Sequence, residues 1–166
     1  MKILRNRDRI AEAVALREVG QVEQSRALLL ALLDETPDDP IANLQCAWAH
    51  DKLGLESEAV PFYEAALELG LENDDRRHAL LGLGSTYRTL GRYEEALATL
   101  TRGVEEFPGD YGVLVFQAMA FYNTGQAKDA CELLLRIILE TSSDEDIRSY
   151  ESAIGAYAGD LDRTWP

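Results

Sequence analysis

RHALLGLGSTYRTLGRYEEALATLTRGVEEFPGD, residues 77–110, contains two predicted helices and the turn that joins them. Leu80, Leu83 and Tyr87 recur at three- and four-residue steps, the spacing of one helical face. Gly91 interrupts that run with the residue best able to take the left-handed conformation that ends a helix. A second stripe, Ala96, Leu100 and Gly103, follows, and Pro108 closes the stretch. Gly84 and Ala96 are small where two antiparallel helices would cross most closely. The larger side chains fill the space on either side of that crossing.

The same pattern recurs along the chain. Gly20, Gly54, Gly91 and Gly125 lie 34, 37 and 34 residues apart. Sliding the crossing pair by that step gives Ala13 with Ser25, Ala47 with Ala59, and Ala118 with Ala130, all small. The bulky position of the second helix becomes Leu29, Tyr63 and Leu134. Pro37 matches Pro108, whereas Leu71 and Ser142 depart from proline. Leu80, Leu83, Gly84 and Tyr87 follow the pattern W-x2-L-G-x2-Y, with Leu in place of Trp. On these residues the chain resembles the tetratricopeptide repeat (TPR) family over Asn6–Asp144.

The resemblance implies an all-α fold, an α-solenoid of four TPR helix-turn-helix pairs wound into a right-handed superhelix. The repeats are 6–39, 40–73, 77–110 and 111–144, with a capping helix at 145–158. Residues 1–158 then form a single domain, and 159–166 a C-terminal tail. Asp74-Asp75-Arg76 is an insertion that adds a helical turn or lengthens a loop. In the cap, Ile147, Tyr150, Ile154 and Tyr157 make one stripe, with Ile147 and Ile154 facing back onto the preceding helix. Arg148, Glu151, Ser152 and Gly155 take the places that would meet a following helix, and a solenoid end requires polar or small residues there. Arg9 and Glu12 in the first repeat, and Asn43 and His50 in the second, occupy places that are apolar in the third. The first two pairs are therefore expected to pack less tightly. His50 is expected to be a hydrogen-bonded packing residue, since no second metal ligand is in register with it.

Composition narrows the function. Thirty acidic against sixteen basic side chains give a net charge of −14 and a pI near 4.5. Such a surface repels phosphate backbones and anionic lipid, so no nucleic-acid or membrane partner is expected. Hydrophobic residues make up 46% of the chain, enough to build a core. Met1-Lys2-Ile3-Leu4 gives way at once to Arg5-Asn6-Arg7-Asp8-Arg9, which does not resemble a secretory signal. The chain is expected to be cytoplasmic. Cys46 and Cys131 are far apart in sequence, among Ala and Leu, and are expected to be buried reduced thiols rather than metal ligands.

No catalytic constellation stands out, and neither an enzyme activity nor a cofactor is expected. Gly82-Leu83-Gly84-Ser85-Thr86 lacks the preceding strand that a phosphate-cradling loop needs. Asp38-Asp39, Asp74-Asp75, Glu94-Glu95 and Glu105-Glu106 fall at turns and helix surfaces without a calcium-loop glycine.

The resemblance also implies an inner groove lined by the first helix of each repeat. By register it presents Arg7, Ile10, Val14 and Arg17, then Ile41, Leu44, Trp48 and Asp51. His78, Leu81, Ser85 and Arg88 follow, then Val115, Met119 and Tyr122. A partly exposed apolar band of this kind marks a partner-binding surface, with Trp and Tyr as the favoured anchors. The residues expected to bind are Ile10, Val14, Arg17, Leu44, Trp48, Leu81, Arg88, Val115, Met119 and Tyr122. Some family members clamp a carboxylate tail of chaperones with Lys, Asn and Arg. The matching places here hold Ile10, Val14, Gln45, His78 and Gly82, so that clamp is missing. The function expected is a non-catalytic interaction scaffold for a peptide or protein partner. The alternative is a regulatory sensor that binds a small peptide or ligand and controls a partner. Trp165 on the tail, or the outward stripe of Ile10, Ala13, Val14 and Leu16, could dock on a second copy to give a homodimer.

Overall fold

Four turns of the chain are built alike, and each is built by a glycine. Gly20, Gly54, Gly91 and Gly125 have φ between 71° and 84°, in the left-handed region. At Gly91 the glycine N–H donates to the Arg88 carbonyl and the Arg92 N–H to the Tyr87 carbonyl, at 3.1 and 2.9 Å. That double closure satisfies carbonyls the helix end would leave bare. The same two bonds recur at the other three glycines.

The computed structural model describes residues 2–164, with side chains from residue 6. Among the described residues there are ten helices and no strand. They are α1 Lys2–Glu18, α2 Val22–Glu35, α3 Pro40–Lys52, α4 Glu56–Glu68, α5 Asn73–Thr89, α6 Tyr93–Glu106, α7 Tyr111–Asn123, α8 Ala127–Thr141, α9 Glu145–Ser149 and α10 Glu151–Gly159. An aspartate opens three of them. Asp39 accepts from the Ile41 and Ala42 N–H groups, Asp110 from Val113, and Asp144 from Asp146 and Ile147. The insertion is helical: α5 starts at Asn73 and has 17 residues, against 13 in α3 and in α7.

The chain divides into two compact units, Met1–Arg92 and Tyr93–Pro166. In the first, Leu29 and Leu32 are fully buried among Ala13, Ala42, Cys46 and Ala49. The Ser25 hydroxyl donates to the Ala13 carbonyl at 2.7 Å, so the small crossing residue of α2 is also bonded across to α1. Ala47 and Ala59 are both fully buried. Tyr63 on α4 lies against the backbone of α5: a Cβ at Gly82 would stand 2.6 Å from its hydroxyl and 2.8 Å from its ring. Glycine is therefore required at position 82 for close approach, not for its torsion angles.

The second repeat is not loosely packed as the sequence suggested. Asn43, 4% exposed, donates to the Pro37 and Asp39 carbonyls at 2.9 Å. The ring of His50 stacks on Phe62, with centroids 4.9 Å apart, and its Nδ1 lies 2.7 Å from the Cys46 carbonyl. Satisfied polar groups can pack as closely as apolar ones, because their desolvation is offset by the bonds they make.

In the second unit Leu100 and Val113 are fully buried, and Ala118 and Ala130 nearly so. Leu134, in the same bulky column as Leu29, is 37% exposed. Two expectations fail beside it. The cap is two helices, not one: the Ser149 hydroxyl donates to the Asp146 carbonyl at 2.7 Å, and the Tyr150 N–H turns to Ile147 instead. Tyr150 and Tyr157 of the expected stripe are exposed, and a Cβ at the exposed Gly155 would meet only Leu139 of α8, at 3.7 Å. Residues 160–162 of the tail are tied to α8, because Lys128 holds Asp160 at 2.9 Å and Asp162 at 3.0 Å. Those carboxylates raise the Lys128 pKa, and Lys128 lowers that of Asp160. Cys131 is exposed; only Cys46 is a buried thiol. Trp165, one of the two features expected to support a dimer, lies outside the described residues.

Candidate functional site

Arg17 ends α1, Trp48 sits in the third turn of α3, and His78 lies in the second turn of α5. In the first unit they form one chain of contacts. The Arg17 guanidinium stands 5.2 Å from the centroid of the Trp48 ring, within range for a cation–π attraction. It also donates to Gln45 Oε1 at 2.7 Å. Partial burial lowers the Arg17 pKa, the Glu18 charge opposing that effect. The Trp48 ring meets His78 edge-on, with centroids 6.0 Å apart at 75°. His78 Nε2 accepts from Arg77 at 2.9 Å. Trp48 and Arg17 are half-buried and His78 is exposed. The ladder runs diagonally, because stacked helices are tilted: residues of one register column do not lie side by side.

Val14, Leu81 and Arg88 are half-buried, as expected of the groove. Leu44 is fully buried and Ile10 is 9% exposed, so the expectation that they face solvent is corrected. The reason lies in α3, which touches α1 and α5 as well as α2 and α4 and leaves little of its own surface free. Asp51 is not a free groove carboxylate either. It accepts from the Tyr63 hydroxyl at 2.6 Å, and the Thr86 hydroxyl lies 3.0 Å away, which links α3, α4 and α5. Burial raises the Asp51 pKa against the pull of those bonds, and burial beside Asp51 pushes the Tyr63 pKa far up. In the second unit α7 presents Val115 and Met119, half-buried, and Tyr122, 69% exposed.

Cys46 Sγ lies 3.7 Å from His50 Nδ1, yet both side chains are enclosed and burial pushes the thiol pKa up to about 12. A thiol so disfavoured as thiolate is a poor nucleophile. Among the described residues no group of His, Cys, Asp and Glu could hold a metal ion, and no helix is long and apolar enough to cross a membrane.

A family model described as tetratrico peptide repeat matches residues 2–49 and 40–161. The chain belongs to the TPR family. Its fold is the helical-repeat solenoid used as a scaffold for protein–protein interaction. Solved structures agree with the TPR assignment. YrrB, described as a TPR protein with an unusual peptide-binding site, is 21% identical with a TM-score of 0.73, over 93% of this chain and 78% of that one. MamA 41-end from Desulfovibrio magneticus RS-1 is 16% identical with a TM-score of 0.74, over 95% of each chain. A putative kinesin light chain from Podosopora anserina, with nearly identical TPR-like repeats, is 22% identical with a TM-score of 0.68, over 95% and 91%. At these identities the likeness shows the fold alone. No curated protein matches the chain in sequence.

Proposed function

We propose that this TPR protein is a non-catalytic adaptor that holds a peptide or an exposed segment of a partner protein against the Arg17–Trp48–His78 ladder. The observation that carries the reading is the half-buried Trp48, flanked by a cation on one helix and an imidazole on another. An indole in that setting offers a large rigid contact area at small entropic cost, with hydrogen-bonding groups beside it. Val14 and Leu81 supply apolar surface on the same groove helices, and Arg88 a further cation. Val115, Met119 and Tyr122 give the second unit an apolar face of its own. YrrB, a protein of the same fold described as having a peptide-binding site, supports the reading by analogy. A cytoplasmic setting is consistent with two cysteines that form no disulfide.

Affinity capture from a native extract tests the proposal, with wild-type and Trp48→Ala proteins compared by mass spectrometry. The expected result is a small set of proteins retained by the wild type and lost from the variant, while both variants melt cooperatively. Identical sets would remove Trp48 from the binding surface.

A further inference from the structure

The first unit contains a cleft of about 750 Å³ that shares no lining residue with the Arg17–Trp48–His78 ladder. Its walls come from the start of α1, the turn between α2 and α3, and Asp75 near the start of α5. Ile10, Ala11, Pro37, Pro40 and Ile41 make the apolar surface. A second depression of about 420 Å³ shares Pro40, Ile41 and Asp75 and continues along the turn between α4 and α5. Clefts of this size hold a few residues of extended chain.

The cleft's charge is one-sided. Glu35 is bound to Arg9 at 3.0 Å and Asp74 to Arg77 at 3.3 Å, which neutralises those two carboxylates. Asp39 commits one oxygen to the N-cap of α3 and leaves the other. Asp38, Glu72 and Asp75 have no ion pair among the described residues. Among the described lining residues, Arg7 on the wall stands against these carboxylates, with the positive ends of α3 and α5, worth roughly half a charge each. The balance stays negative. An anionic or neutral apolar occupant would leave these carboxylates uncompensated, whereas a cationic one would pair with them.

We propose that this cleft docks an extended peptide segment of a partner protein in which lysine or arginine alternates with an aliphatic residue. The cations lie toward Asp38 and Asp75, and the aliphatic side chains and lysine stems lie on Pro37, Pro40 and Ile41. The proposal is independent of the ladder: Trp48 does not line the cleft, so Trp48→Ala is expected to weaken binding at the ladder alone, and the two readings fail separately.

The test is fluorescence anisotropy with a fluorescein-labelled peptide of alternating leucine and lysine, at near-physiological salt. The whole chain is compared with Asp38→Asn/Asp75→Asn and with Glu94→Gln/Glu105→Gln on α6, a pair that changes net charge equally elsewhere. Asp39 is left alone because it caps α3. The cleft pair is expected to weaken binding by about tenfold and the α6 pair by less than about twofold. Arg7→Ala is expected to tighten binding by about threefold, and serine in place of the peptide leucines to weaken it by about fivefold. Equal losses from the two pairs, or equal binding of the serine peptide, would reduce the effect to bulk charge and overturn the proposal. So would the absence of saturable binding at about 1 mM, a weak-binding limit. Amide chemical-shift changes in the wild type are expected at residues 36, 38, 39, 41 and 71–75; changes confined to other residues overturn it without any variant.

Discussion

Leu29 in the first unit and Leu134 in the second stand at the same place in their repeats, yet one is fully buried and the other 37% exposed. Both lie on the second helix of a pair, and both are leucine. What differs is the next element. Behind Leu29 comes α3, a 13-residue helix whose Ala42, Cys46 and Ala49 join the same core. Behind Leu134 come α9 and α10, broken at Tyr150; only the nine-residue α10 packs substantially on α8, and the segment after it is tied there by the Lys128 ion pairs. A repeat column is thus a place where burial is offered, and the following helix determines whether it is used.

The comparison is most directly tested by truncation. Leu29→Ala is expected to cost about 3 kcal/mol, in the range for a leucine removed from a closed core. Leu134→Ala should cost less than about 1 kcal/mol, since much of that side chain is already in water. Urea titrations followed by circular dichroism measure both. Comparable losses would mean that α10 covers α8 as a full helix does.

Glycine gives a second contrast. Gly82→Ala drives a methyl to within 2.8 Å of the Tyr63 ring and should destabilise by about 2 kcal/mol, whereas Gly155→Ala meets only Leu139, at 3.7 Å. The second change should be neutral or add up to about 1 kcal/mol, the ordinary helical preference of alanine over glycine. Tyr63→Phe does not rescue Gly82→Ala, because ring carbons as well as the hydroxyl are in the way; Tyr63→Leu, the residue of the other repeats, should.

Asp51 distinguishes the polar core of the first unit from the exposed ion pairs of the second. Asp51→Ala leaves the Tyr63 hydroxyl buried without its acceptor and should cost about 2 kcal/mol. Asp51→Asn keeps an acceptor and removes a buried charge. The folded pKa of Asp51 is raised, so the penalty for its ionised form is absent below 3.8, the unfolded value, and complete above the folded one. The stability of Asp51→Asn relative to wild type should therefore rise as the pH increases above 3.8, a trend that denaturant midpoints at several pH values would measure. A flat or falling difference would show that Asp51 is not held against a desolvation penalty.

The smallest expected effect is chemical. Native protein treated with an aromatic disulfide reagent should release one equivalent, from the exposed Cys131, and a second only in denaturant. Cys131→Ser should abolish the first phase with little change in stability. Two fast equivalents would show that the first unit opens far more readily than its packing indicates.

The repeat period and the four turn glycines were legible in the sequence, because a helix and its closing turn are set by bonds only a few residues apart. The insertion before the third repeat was legible too, but whether it was a helical turn or a loop was decided only by the structure. The Tyr63–Gly82 fit was legible in principle. Tyr63 is the one aromatic in a column with Leu29, Leu100 and Leu134, and Gly82 stands where the other repeats have Ala11, Gln45 and Phe116. An enlarged side chain and a missing one, on helices that neighbour each other, signal a single contact. Other features were not legible. Leu44 and Ile10 looked like groove residues, Cys131 like core and Leu134 like a buried anchor, because register says which way a side chain points along its own helix. It does not say what stands opposite. Burial and the diagonal meeting of Arg17, Trp48 and His78 depend on the tilt and completeness of neighbouring helices, which only the tertiary structure decides.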